Sequence, residues 1–210
     1  TEHRIRIVFT ADTHLGFDDP AHPRVERPRR GDDFFANYER VLSYALATRP
    51  DVFVHGGDFF TRSRPPAAVV DRAYAGLLRL AEAGIPVVVV PGNHDRSRLP
   101  RSLLLHHPLI HVFDRPRTFV VNAGPTRVAV AGFPFAWGDV RSDFPRILAE
   151  TGWDASEADA RVLCVHHAFE GATVGPSDYV FRRTRDVVRP ADVPAGLAAV
   201  LSGTSTDTRC

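Results

Sequence analysis

The stretch PVVVVPGNHD, residues 86–95, decides the fold. Four valines in a row with no polar break read as a strand buried on both faces, as in the interior of an α/β sheet. Pro91-Gly92 ends the strand and delivers Asn93, His94 and Asp95 into a loop at its carboxyl end. Ligands of open α/β sheets bind at that edge. An amide, an imidazole and a carboxylate placed there carry metal-binding or proton-transfer chemistry.

The same event recurs along the chain. Residues 5–10 alternate into an apolar strand that ends at Asp12 and His14. Residues 51–55 form a second short strand running into Gly56-Gly57-Asp58, and residues 161–165 a later one ending at His166-His167. Between them, Phe34, Tyr38, Val41, Leu42, Ala45 and Leu46 recur at helical spacing and stop at Pro50. Val69, Val70, Ala73, Leu77, Leu80 and Ala81 do the same from Pro66 to Gly84. This order predicts a parallel sheet covered by helices. Residues 110–113, 118–122 and 128–133 read as short strands of a second sheet, 142–151 as a helix, 180–194 as a surface loop and 198–201 as a last strand.

Composition narrows the classes. At 210 residues and 44% hydrophobic, the chain can bury one substantial core. All 26 basic residues are arginine and the formal net charge is +1, so overall charge argues for neither nucleic-acid nor membrane binding. Two cysteines, Cys164 and Cys210, make no disulfide framework. The first ten residues enter a strand pattern without a signal-peptide apolar region, and no run approaches membrane-spanning length. The expectation is a soluble, cytoplasmic protein.

Each site signal has a bland reading. Asp-x-His alone is usually a helix cap or a surface pair, and Gly-Asp usually a turn. Asn93 suits a left-handed turn, and His166 could be a satisfied core histidine. Four strands breaking into ligand-type residues at one sheet edge are much harder to obtain from turn chemistry.

ADTHLG, HGGDFF, PGNHD and VHH, in this order, resemble the calcineurin-like metallophosphoesterases, and most closely the bacterial SbcD-type DNA repair exonucleases. The similarity extends to RRGDDFFANYERVLSYA and VAGFPFAW. It implies an α/β fold, a four-layer α-β-β-α sandwich of two mixed sheets flanked by helices, over residues 1–203. It further implies two divalent metals between the strand ends, Asp12 and His14 holding one, Asn93 and His166 the other, and Asp58 bridging both. Cations about 4 Å apart repel, so an anionic bridge is needed, and together they clamp the attacking and leaving oxygens of an in-line displacement. Two carboxylates leave the site net positive for a phosphate, which rationalises neutral Asn and His elsewhere. By the same resemblance His94 contacts the phosphate and protonates the leaving alkoxide, with Asp95 orienting it. Oxygen and nitrogen ligands without cysteine suit manganese, iron or zinc, and the resemblance favours Mn2+.

The pattern breaks at the end of the chain. The family closes its site with Gly-His-x-His, whereas here Gly203 is followed by Thr204-Ser205-Thr206 and the rest of an aberrant tail, residues 204–210. Written as GGC CAC ATC CAC CGA CAC CCG GTG CTG, the peptide GHIHRHPVL loses one C from its first two codons to read GTSTDTRC, the observed tail. The expectation is a frameshift that removes one imidazole per metal and impairs this form; the alternative is an ordinary divergent tail that matches by chance.

Arginines within residues 24–30, Arg62, Arg64, those within 96–101 and those within 182–189 flank the site loops and are candidates for backbone phosphates; as solvated surface charge they would mean nothing. Arg62, Arg96 and His167 are the candidate substrate contacts. The first functional expectation is a metal-dependent DNA exonuclease or endonuclease of repair. A phosphodiesterase or phosphatase for small nucleotides, and a non-catalytic remnant binding phosphate or a protein, stay open. The resemblance adds an ATPase partner, whose docking segment comes later in SbcD-like chains, and a homodimer; no membrane association is expected.

Overall fold

The computed structural model describes residues 4–17, 31–174, 179–182 and 184–203. The arginines within residues 24–30 and the tail 204–210 lie outside them.

In chain order, β1 (Ile7–Thr10), α1 (Gly31–Thr48), β2 (Val52–His55), α2 (Ala67–Glu82), β3 (Val87–Val89) and β4 (Ile110–Val112) build the first half. They form one sheet in the order β1-β2-β3-β4, parallel throughout. The second half holds β5 (Arg117–Ala123), β6 (Thr126–Gly132), α3 (Val140–Glu150) and β7 (Ala160–Val165). The short pieces β8 (Ala168–Phe169), β9 (Thr173–Val174), β10 (Tyr179–Val180) and β11 (Val187–Val188) follow, and β12 (Ala199–Ser202) completes a second sheet of order β12-β7-β6-β5. That sheet is mixed: β12, β7 and β6 run parallel, and β5 pairs antiparallel with β6 as a hairpin. The two remaining ladders are small, β8 with β11 and β9 with β10.

The layers follow from side-chain alternation, since successive strand residues face opposite sides of a sheet. Phe53, Val87 and Val89 point to one face of the first sheet, where Tyr38, Leu42 and Ala45 of α1 and Ala73, Leu77 and Leu80 of α2 cover them. Val52, Val54 and Val88 point to the other, against Val128, Val130, Val162 and Cys164 of the second sheet. Ala131, Leu163 and Val165 face outward from that sheet onto Phe144, Ile147 and Leu148 of α3. The uninterrupted valines of the opening stretch therefore serve two cores at once. Each such fully buried side chain contributes about 1.5–3 kcal/mol. Burial pushes the Cys164 thiol up to about 12, so it is an inert core residue.

The helices end where the sequence expects. Gly84, at φ +82°, closes α2 with its N–H on the Ala81 carbonyl, while Ile85 N–H reaches back to Leu80. Helix α3 begins two residues earlier than expected because Asp139 caps it, accepting from Ser142 N–H at 3.1 Å. Residues 110–112 were expected in the second sheet but extend the first, pairing parallel with β3. Three apolar residues carry no record of which sheet they join; the crossover through 90–109 places them. Within 180–194, the expected loop gives up residues to β10 and β11.

Candidate metal centre

The tips of β1, β2, β3 and β7 meet at one edge. Backbone bonds stitch the first two loops together beyond their strands: Asp12 N–H to Gly57 O at 2.9 Å, His14 N–H to Asp58 O at 3.1 Å, and Leu15 N–H to Phe59 O at 2.9 Å. Asp12, His14 and Asp58 hold φ values of +53°, +42° and +50°, a region that non-glycine residues avoid. Strain of this kind persists where surrounding bonds over-determine it and clusters at functional sites.

Asp58 stands at the centre. Its side chain is 1% exposed. Oδ1 accepts from His94 N–H at 2.9 Å, while Oδ2 accepts a hydrogen bond from no described residue. Around that oxygen lie His166 Nε2 at 3.4 Å, His14 Nε2 at 3.9 Å and His94 Nε2 at 4.0 Å. Ligand atoms of Asp12, Asp58 and His166 fall within 4.8 Å of one another, and so do those of His14, Asp58 and His94. Asp58 belongs to both groups. A buried carboxylate oxygen facing three imidazoles without a donor of its own has the chemistry of a cation bridge, so the residues fit a divalent metal pair.

Electrostatics agree. Burial works to raise the Asp58 carboxyl, but the contacts with His166 and His94 outweigh it and hold the group below its usual range. Burial likewise works against a charged His166, yet Asp58 raises that imidazole above its ordinary value. His14 is lowered, chiefly by burial.

Glycines make the convergence possible. A side chain at Gly92 would collide with Asp58, and one at Gly57 with the His166 ring. At Gly203 it would strike the Gly56 carbonyl. The end of β12 is thus packed directly against the site, with Gly203 N–H on Val165 O at 3.0 Å.

Asn93 Oδ1 lies 3.1 Å from His166 Nε2, joining the third loop to the fourth strand end. All five expected metal ligands, Asp12, His14, Asp58, Asn93 and His166, therefore converge. His94 joins them, its side chain 36% exposed and its ring edge-on to His14 at 4.8 Å. Its Nδ1 lies 3.0 Å from the Thr61 carbonyl, which leaves Nε2 facing the cluster.

Two expectations need correction. Asp95 does not orient His94: its Oδ2 accepts from Gly92 and Phe59 N–H and its Oδ1 from Phe60 N–H, while the Thr61 carbonyl holds the imidazole. Asp95 instead ties the β3 loop to the β2 loop, and burial lifts its carboxyl to about 6 despite those three donors. His167 does not open onto the site, being 1% exposed. It follows the strand into the interior, stacks on Phe135 at 4.5 Å and accepts from Ala136 N–H at 3.0 Å. Arg62 and Arg96 are exposed beside the site.

Sequence reading misses the supports. His55 is wholly buried; its Nδ1 accepts from Gly57 N–H, and its Nε2 meets Thr13 Oγ1 at 2.9 Å, the hydroxyl donating in turn to Phe59 O. In VFVH this histidine looks like one more alternating strand residue. Thr61 Oγ1 donates to His14 O at 2.6 Å.

The family model described as calcineurin-like phosphoesterase matches residues 5–202. The DNA double-strand break repair protein Mre11 of Haloferax volcanii is 38% identical over 78% of this chain and 34% of that protein. The protein of the same name from Aeropyrum pernix is 35% identical over 61% of this chain and 32% of its own length. The chain thus spans about a third of these curated relatives. Among solved structures, a dimetal phosphatase from Danio rerio matches with a TM-score of 0.48 at 12% identity, over 84% of this chain and 74% of that one.

Proposed function

The chain belongs to the calcineurin-like phosphoesterase family, and on that premise we propose that it is a metal-dependent nuclease of DNA repair, hydrolysing phosphodiester bonds by exonuclease or endonuclease cleavage. The observation that carries this reading is Asp58, a buried carboxylate common to two ligand groups with one oxygen left for a cation. The repair-protein names of the Haloferax and Aeropyrum relatives support DNA as the substrate.

Asp12, His14, Asn93 and His166 would hold two divalent ions with Asp58 shared between them, Mn2+ being the first choice for this oxygen and nitrogen set. Bound there, the ions would supply the positive charge that clamps a phosphate and lower the pKa of water toward neutrality. The chain's own residues do the rest. Thr61 fixes the His94 ring so that Nε2 faces the phosphate and hands a proton to the departing alkoxide, a role commonly worth about 10²–10⁴-fold. Asp95 keeps the two loops in register, and Arg62 and Arg96 meet neighbouring backbone phosphates.

Residues 204–210 are read as an out-of-frame tail that deprives each ion of one imidazole. An ATPase partner belongs to the full-length family and is not carried over to these residues; a homodimer and a cytoplasmic location complete the proposal.

The test compares end-labelled duplex DNA with nucleotide monoesters in the presence of manganese. Hydrolysis of the duplex is expected. Turnover of monoesters alone would replace the reading with a small-nucleotide phosphatase.

A further inference from the structure

The segment between β6 and α3, residues 133–139, forms a fixed rim beside the metal centre. Phe135 N–H donates to Pro91 O at 2.8 Å, Ser97 Oγ donates to Phe135 O, and Ala136 N–H donates to His167 Nε2 at 3.0 Å. The Phe135 ring lies flat on His167, 18° from parallel, and 6.2 Å from the His166 ring. These anchors belong to the loop that carries Asn93 and His94 and to the strand end that carries His166. On the loop side they are held in a left-handed turn, Arg96 at φ +51° and Ser97 at φ +59°, which aims the Ser97 hydroxyl at the rim.

Two residues on, Trp137 stands edge-on to Phe135, ring centres 4.9 Å apart at 75°, and is 64% exposed. Gly138 at φ +100° then turns the chain into the Asp139 cap. Trp137 is therefore a large flat ring steadied by a neighbour, one ring removed from His166 and open to solvent. Isolated exposed aromatics are common on protein surfaces. This one differs in its rigid mounting on the same loops that position the candidate metal ligands.

We propose that Trp137 is a stacking platform for an unpaired nucleobase adjoining the scissile phosphodiester. The proposal rests on the nuclease reading and adds a substrate preference to it. Every base offers a π-face, so the platform is indifferent to sequence but selects strands with an unstacked base over duplex interior and over base-free phosphodiesters. The exposed Arg96 guanidinium, on the loop bonded to the rim, suits the accompanying backbone phosphate.

The test uses the full chain carrying Trp153→Phe, which leaves Trp137 as the sole tryptophan of the two. Intrinsic fluorescence reports stacking while a short oligo-dT strand, or the same strand with abasic tetrahydrofuran residues, is added, and the affinity of each strand is read from the anisotropy of a fluorescein label on it. The expected result is quenching by oligo-dT and not by the abasic strand, with oligo-dT binding weakened about 5–150-fold in Trp137→Ala, the range that stacking one base spans. Abasic-strand affinity should be equal in the two proteins. Equal quenching and equal affinity for both strands, with duplex hydrolysis intact, would overturn the platform alone. Base-dependent binding without any manganese-dependent hydrolysis would overturn the nuclease reading and leave the platform standing.

Discussion

His166 Nδ1 lies 2.7 Å from the carbonyl oxygen of Gly56, a contact across 110 residues of chain. The carbonyl can only accept, so Nδ1 carries the proton and Nε2 is turned toward Asp58 and Asn93. This is the tautomer that a nitrogen ligand needs, set by a partner on the far side of the ring. Gly56 is held in turn by its own N–H on Thr10 O at 2.8 Å, so the first, second and seventh strands share one frame.

Replacing His94 with asparagine tests the division of labour at the cluster. Metal content should persist, since Asp58, His14 and His166 are untouched, while turnover of an unactivated phosphodiester should fall about 10²–10⁴-fold. Metal analysis alongside steady-state rates checks both halves; a fully active variant would return His94 to a structural role.

The metal-free protein should lose stability as pH falls, and His167 should account for part of the loss. Burial lowers His55 and His167 to about 3 in the folded chain, whereas an unfolded imidazole protonates near 6.5. Below 6.5 the unfolded state binds more protons at these two sites, so each removes up to about 1.4 kcal/mol per pH unit down to about 3. Asp95 opposes them. Its folded value of about 6 exceeds its unfolded one, so falling pH relieves a cost between about 6 and 3.8. His166 is raised, and its contribution is fully present below 6.5. Denaturant titrations from pH 6.5 to 5 should therefore show a slope smaller by up to about 1.4 kcal/mol per pH unit in His167→Gln. Parallel slopes would mean that the ring is not held neutral.

Much of this candidate site was legible because each contributing strand carries its chemistry at its own tip. An apolar run that breaks into Asp-x-His or Asn-His-Asp announces both a buried strand and a loop at the ligand edge. What the sequence hides is long-range. Asp95 looks like a partner for its neighbour His94, but three backbone N–H groups from two loops claim its carboxylate. His167 follows a candidate ligand histidine, yet it turns into the interior against Phe135. The pairing of β4 with β3 depends on a crossover whose path no local pattern records. Trp137 and Trp153 are indistinguishable by composition, and only the fold separates the exposed ring from the one packed beside α3.

Restoring imidazoles after Gly203 should tighten metal binding. Gly203, the last described residue, packs against Gly56 beside His166. Thr204→His with Thr206→His is expected to raise manganese affinity by more than the about 10–100-fold that a supporting residue contributes. Calorimetric titration measures it; unchanged affinity would reject the reading of the tail as a loss of two ligands.

The most direct measurement is the manganese stoichiometry of the metal-stripped chain and of its Asp58→Asn variant, by isothermal titration calorimetry. If Asp58 bridges two ions, the wild type binds two equivalents and the variant loses affinity for both together. Two sites that fill independently in Asp58→Asn, or loss of one with the other unperturbed, would contradict the shared carboxylate on which the account rests.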